Sequence, residues 1–360
     1  MPRYLVCLLG AVTMSSVFTL YGQSMRSVSH FYPASNSFIS YIGRVDHSDA
    51  ALPRFWAPGV YVTAKFKGSF CKIVVNDEML WGKNHNYLEI VVDGKNPVRI
   101  QTSKKTDTIN IANGLTNGVH SFLLCKDTES NIGYIEIVGV MCQQLLPPSK
   151  LPNRRIEFVG NSITCGTGLD QSQVPCHTGL WQDQHNAYMS YGALTARQLN
   201  AQWHLTSVSG IGLTHSCCNL NMLIADVFDK VNLRENVIDW NFNFYQPQVV
   251  TLCLGQNDGI QDSAKFANAY IDFIKNVRSR YANASIICLT SPMANDGLKT
   301  FLSASLKGII KKLNNDGDKK VSYYVFKKRY HNGCDEHPDM DEHRQIAGEL
   351  SAYIKKLKKW

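Results

Sequence analysis

The stretch Arg155-Ile156-Glu157-Phe158-Val159-Gly160-Asn161-Ser162-Ile163-Thr164-Cys165-Gly166-Thr167-Gly168 is a short apolar run that stops at a Gly-Asn-Ser turn. Ile156 to Val159 has the length and the β-branched or aromatic content of a buried strand, and the glycines beyond it permit a tight turn that exposes a serine. That serine reads either as a nucleophile or as the cap of a following helix. The rest of the chain decides between the two.

Downstream, strand-like and helix-like segments alternate. A helical segment is expected around Asn186 to Asn200, strands at His204 to Val208 and Val249 to Leu254, and a helix at Ser263 to Arg280. Strand Ser285 to Leu289, helix Thr300 to Leu313, strand Val321 to Phe326 and helix Met340 to Leu357 follow. This alternation argues for a three-layer α/β domain on a parallel sheet, with its site at the carboxyl ends of the strands. Polar, glycine-bearing loops fall at those ends: Gly160-Asn161-Ser162, Ser209-Gly210-Ile211-Gly212, Gly255-Gln256-Asn257-Asp258, and the loop carrying Asp335, His337 and Pro338.

Upstream, from about Ser37 to Cys142, short strand-like runs alternate with turn residues. Among them are Tyr61 to Phe66, Phe70 to Val75, Tyr87 to Val92 and Val119 to Cys125, with Asp93-Gly94, Asn113-Gly114 and Asn117-Gly118 as turn signals. The expectation is an all-β sandwich, jelly-roll or immunoglobulin-like. Trp56 and Trp81 are candidates for sugar contact there, with core packing as the ordinary alternative. The proline-rich join Leu145 to Pro152 separates the two characters. The division is therefore an export signal at 1–24, a sandwich at 25–145, a join at 146–153 and the α/β domain at 154–360.

The signal reading rests on Arg3, an interrupted apolar stretch from Tyr4 to Leu20, and small or polar residues at 22–24. No later segment is long and apolar enough to span a bilayer. Export places the protein outside the cytoplasm, secreted or periplasmic, where disulfides can form; Cys165 with Cys176, or Cys217 with Cys218, can be bridged or free. No paired Cys-x-x-Cys or His-x-x-x-His set suggests zinc. The net charge of +8 is concentrated from Lys299 onward, where 14 Lys or Arg face 8 Asp or Glu. Solvated helix faces and a frayed tail account for it, and no nucleic-acid module is present.

The loops hold what an activated serine needs. His337 is the expected base for Ser162, with Asp335 as its orienting partner. The backbone N–H groups of Ser162 and Gly210 and the Asn257 side-chain amide are the expected oxyanion donors, with Gly212 as the fallback glycine. His331 and His343 compete with His337 by proximity in sequence. Order and placement together favour a serine hydrolase over a set of unrelated turns and caps.

These residues resemble the four sequence blocks of the SGNH (GDSL-type) hydrolases: Gly160-Asn161-Ser162-Ile163-Thr164, Gly210, Gly255-Gln256-Asn257-Asp258 and Asp335-Glu336-His337-Pro338. With Tyr41-Ile42-Gly43-Arg44 and Pro53-Arg54-Phe55 upstream, the chain is similar to carbohydrate esterase family 2, in which a jelly roll precedes the hydrolase domain. The resemblance implies removal of acetyl groups from xylan or glucomannan through an acetyl-enzyme on Ser162, without a cofactor. Asn161 and Gln256 depart from the more frequent aspartate and threonine, and a backbone carbonyl can replace Asp335 as the histidine's partner. The rival readings are a lipase-like or peptidoglycan-directed esterase of the same superfamily, and a non-catalytic carbohydrate-binding protein.

Overall fold

In the computed structural model residues 28–360 are described, together with Met1 and Pro2. Apart from those two, the export signal read at 1–24 lies outside the described residues. No described helix is long and apolar enough to cross a membrane.

The first sheet is wholly antiparallel. Its strands are β1 (His30–Pro33), β2 (Ser40–Ile42), β3 (Arg54–Phe55), β4 (Tyr61–Asp77), β5 (Tyr87–Val92), β6 (Val98–Gln101), β7 (Thr106–Ala112), β8 (Val119–Lys126) and β9 (Ile135–Leu146). The two strands expected at Tyr61–Phe66 and Phe70–Val75 are one strand, β4, interrupted by a bulge between Lys67 and Cys71. Val62, Ala64 and Phe66 are buried before it, and Cys71, Ile73 and Val75 after it, so the buried parity flips across the bulge. β4 pairs with β8 up to Lys67 and with β7 from Cys71. Changing partner at a bulge lets one strand serve both layers of a sandwich.

The second sheet is parallel, with β10 (Arg154–Gly160), β11 (Ala201–Ser207), β14 (Val249–Cys253), β15 (Ser285–Leu289) and β16 (Val321–Tyr324) in the order β11-β10-β14-β15-β16. A small ribbon of β12 (Lys230–Asn232) and β13 (Val237–Asp239) lies apart from it. Helices α1 (Ser162–Cys165), α2 (Tyr191–Gln198), α3 (Ile224–Val227), α4 (Ser263–Arg280), α5 (Asp296–Asn315) and α6 (Met340–Lys358) complete this half. Alternate strand residues divide the core: Val249, Cys253, Ile287 and Leu289 pack with α2 and α6, while Val250, Leu252, Ile286 and Cys288 pack with α4 and α5. Three layers follow from that alternation.

Boundaries moved where side chains capped helices. Helix α5 begins four residues before its expected start because the Asn295 side chain accepts the Leu298 N–H. Helix α2 begins at Tyr191, five residues late, because the Asn186 Oδ1 holds the Met189 N–H in a turn. The tail is not frayed: α6 runs to Lys358, and the Arg154 guanidinium lies 5.1 Å from the Trp360 ring.

The halves share a polar seam. Arg44 of the sandwich is buried, pairs with Glu157 of β10 at 2.8 Å, and donates to the Phe228 and Lys230 carbonyls. The Trp203 indole donates to the Gly59 carbonyl at 2.9 Å and stacks on Tyr61. Burying an ion pair stabilises little in net terms, but losing one partner strands the other charge. The seam therefore sets the relative placement of the halves.

Candidate active site

In order along the chain the parallel strands read 2-1-3-4-5, so the crossovers diverge between β10 and β14. Ser162 follows β10 and Asn257 follows β14, one on each side of that crevice. The turn after β10 is dictated locally. A Cβ on Gly160 would stand 2.1 Å from Thr164 Oγ1, so only glycine fits. Asn161 caps α1 through its Oδ1, which accepts the Ile163 N–H, the role an aspartate would fill.

Ser162 Oγ lies 2.8 Å from His337 Nε2. His337 Nδ1 lies 3.1 Å from the Cys334 carbonyl, which can only accept, so the proton sits on Nδ1 and Nε2 presents its lone pair to the serine. Burial pushes the imidazole below its ordinary pKa, with the Cys334 carbonyl and the Asp335 charge opposing the shift. The histidine is a neutral base at neutral pH.

The expected Asp335–His337 pair is corrected. Asp335 and Glu336 both have left-handed backbone, with φ of 51° and 58°, and the Asp335 carboxylate turns outward, 63% exposed, to 3.9 Å from His177. The backbone so turned leaves the Cys334 carbonyl facing the imidazole. Cys334 is bonded to Cys176 and donates its N–H to Gly168, which ties the orienting carbonyl to the loop beyond Ser162. The cysteines left open as bridged or free are thereby assigned: Cys165 is a buried thiol, while Cys217 and Cys218 are bonded to each other. His331 is exposed, and buried His343, pushed down to about 3 by burial, accepts the Tyr191 N–H. Neither competes with His337.

The expected donors lie on the turns that follow β10, β11 and β14. Ser162 is the first residue of α1, so its N–H stands outside the helix ladder. Gly210 has φ of 81°, and its N–H has no acceptor among the described residues, whereas the Gly212 N–H is taken by Ser216 Oγ at 3.0 Å. Of the two glycines, Gly210 is the one with a free donor. Asn257 Nδ2 gives one hydrogen to the Ile211 carbonyl at 2.7 Å, which orients the amide and leaves its second hydrogen available. Asp258 accepts the Leu213, Thr214 and His215 N–H groups and shapes the same loop.

Sequence reading missed the support that comes from the sandwich. Glu129, fully buried, accepts the Ser209 N–H at 2.7 Å and the Cys165 thiol at 3.3 Å, immediately before Gly210. Ser209 Oγ in turn meets Thr167 Oγ1 at 2.9 Å. Buried Lys126 donates to the Thr128 and Glu129 carbonyls, and burial lowers its pKa to about 7. The run Lys126 to Ser130 reads as a solvated polar loop, and nothing local signals that it is inserted into another domain. Trp56 is core, whereas Trp81 is exposed on the sandwich and Trp181 on the segment held by Cys176.

The sequence pattern described as Carbohydrate esterase 2 N-terminal matches residues 41–149, and that of the GDSL-like Lipase/Acylhydrolase family matches 158–323. A solved family two carbohydrate esterase from Clostridium thermocellum, in complex with cellohexaose, is 32% identical with a TM-score of 0.82, over 89% of this chain and 99% of that one. The acetylxylan esterase / glucomannan deacetylase of Cellvibrio japonicus is 26% identical over 94% of both chains. The cellulase/esterase CelE of Acetivibrio thermocellus is 32% identical over 90% of this chain, which spans 40% of that longer protein.

Proposed function

This chain belongs to carbohydrate esterase family 2, and on that premise we propose that it is an exported esterase removing O-acetyl groups from plant cell-wall polysaccharide, xylan or glucomannan. The observation that carries the reading is the Ser162–His337 contact at 2.8 Å, with His337 oriented by the Cys334 carbonyl. Ser162 Oγ attacks the acetyl carbonyl while His337 Nε2 takes its proton. The developing oxyanion meets the N–H groups of Ser162 and Gly210 and the Asn257 amide. Collapse of the intermediate breaks the bond to the sugar oxygen, which leaves with the proton from His337. Water, deprotonated by the same imidazole, then releases acetate and restores Ser162. The exposed indole of Trp181 supports a sugar ring at the rim, since an aromatic face suits a pyranose C–H surface.

Acetate release from acetylated xylan and acetylated glucomannan tests this, with a long-chain ester as control. Release that falls at least about ten-thousandfold in Ser162→Ala is the expected result. Cleavage of the long-chain ester alone would replace the reading with a lipase-like one.

A further inference from the structure

A second cleft, of about 460 Å³, opens at the opposite end of the parallel sheet, where the sandwich segment from Tyr41, the interdomain join at Leu151–Asn153 and the segment Trp240–Tyr245 meet. Its volume falls within the about 300–1,000 Å³ typical of small-ligand sites. Arg155, at the amino end of β10, lines it. Seven residue steps, most of them along the extended β10, separate Arg155 from Ser162, about 23 Å, so this cleft is distinct from the catalytic crevice.

The chemistry of its lining is one-sided. Among the described residues no aspartate or glutamate lines it. The half-buried guanidinium of Arg155 makes no hydrogen bond or ion pair among the described residues, and its Nε is fully shielded from solvent. His204, 3% exposed, also has a shielded Nδ1 without a partner among the described residues; burial and the nearby guanidinium groups hold it neutral. The Gln202 amide donates to the Pro152 carbonyl, which leaves its oxygen free as an acceptor. Aromatic faces surround these groups: Tyr245 stacks on His204 at 3.5 Å, Trp240 meets Phe244 edge-on at 5.9 Å, and Phe244 is 69% exposed. Buried polar groups in native proteins are ordinarily paired, and a guanidinium fork fits a carboxylate.

We propose that this cleft is a second glycan site that takes a carboxylate-bearing sugar, a uronate unit of a polysaccharide, with the carboxylate on Arg155 and the ring against Phe244 and Tyr41. Such a site would hold the protein on an acidic polysaccharide while the catalytic crevice works on a neighbouring stretch.

Calorimetric titration of the whole protein with a glucuronate-bearing xylo-oligosaccharide, the neutral xylo-oligosaccharide of equal length and free glucuronate tests the proposal; all are unacetylated. The acidic oligosaccharide should bind at least about tenfold tighter than the neutral one and weaken as salt is raised, as a charge-assisted contact requires. Arg155→Gln should remove that preference, and Phe244→Ser should weaken binding, while both variants cleave a small acetyl ester at the parent rate. Equal binding of acidic and neutral oligosaccharides, an acidic preference that survives Arg155→Gln, or absence of binding would overturn the proposal. Binding of free glucuronate without the oligosaccharide would overturn the assignment to a glycan. The readout needs no turnover, so its failure leaves the esterase reading intact, and a failed esterase reading leaves it measurable.

Discussion

The two ends of the parallel sheet treat polar groups in opposite ways. At the carboxyl end His337, Asn257, Ser209 and Asp258 each have a partner that fixes their direction before any substrate arrives. At the amino end Arg155 and His204 keep polar nitrogens with nothing to bond among the described residues. The first arrangement suits chemistry, because donors already aimed at the developing charge need not reorganise in the transition state. The second suits capture, because the terminal nitrogens of Arg155, unlike its shielded Nε, stay open to a partner from outside. The carboxyl end also draws on the whole chain: Glu129 comes from the sandwich, and the carbonyl behind His337 is anchored through Cys176.

Breaking the pre-arranged end should cost most where a group touches the reacting atoms. Asn257→Ala should lower kcat on a soluble acetyl ester about 10²- to 10³-fold with KM little changed, as the loss of one oxyanion donor does. Steady-state kinetics on protein with parent-like circular dichroism checks it. An effect below tenfold would remove Asn257 from the oxyanion site.

Glu129→Gln should cost less, because Glu129 acts through Ser209 and Gly210. Replacing the carboxylate by an amide weakens the bonds it accepts from the Ser209 N–H and the Cys165 thiol, and about a tenfold fall in kcat with unchanged KM is expected. Melting temperature is measured alongside: a residue that only held the domains together would lower melting and leave kcat, taken well below it, untouched.

The smallest effect is expected at Asp335. Because burial disfavours the imidazolium of His337, kcat/KM should stay high on lowering pH until below about 6.5, the ordinary imidazole value. The Asp335 charge opposes that shift, so Asp335→Asn should move the acid limb to still lower pH and change kcat/KM at neutral pH by no more than about threefold. A hundredfold loss would restore Asp335 as the orienting acid.

Much of this was legible locally. The alternation of strands and helices, the glycine-bearing loops at strand ends and the pair Ser162 and His337 follow from residue types and spacing, because a strand, a tight turn and a cap are each decided within a few residues. The helix at Ser263–Arg280 and the strand at Ser285–Leu289 match their expected bounds. Asp335 misled because an acid two residues before a histidine suggests a partner, and only the left-handed backbone at Asp335 and Glu336 shows that the carboxylate faces outward.

Residue types and their spacing were enough to specify an α/β domain behind an all-β one and the residues presented on four loops. Long-range packing settled that a peptide carbonyl orients the histidine, that Gly210 rather than Gly212 has an N–H without an acceptor among the described residues, that Cys176 joins Cys334 across 158 residues, and that Glu129 enters from the other domain. Backbone carbonyls and N–H groups are the same at every residue, so sequence carries no mark of which one is left free. Contacts between distant segments likewise leave no local pattern, since burial and packing of the whole chain select them.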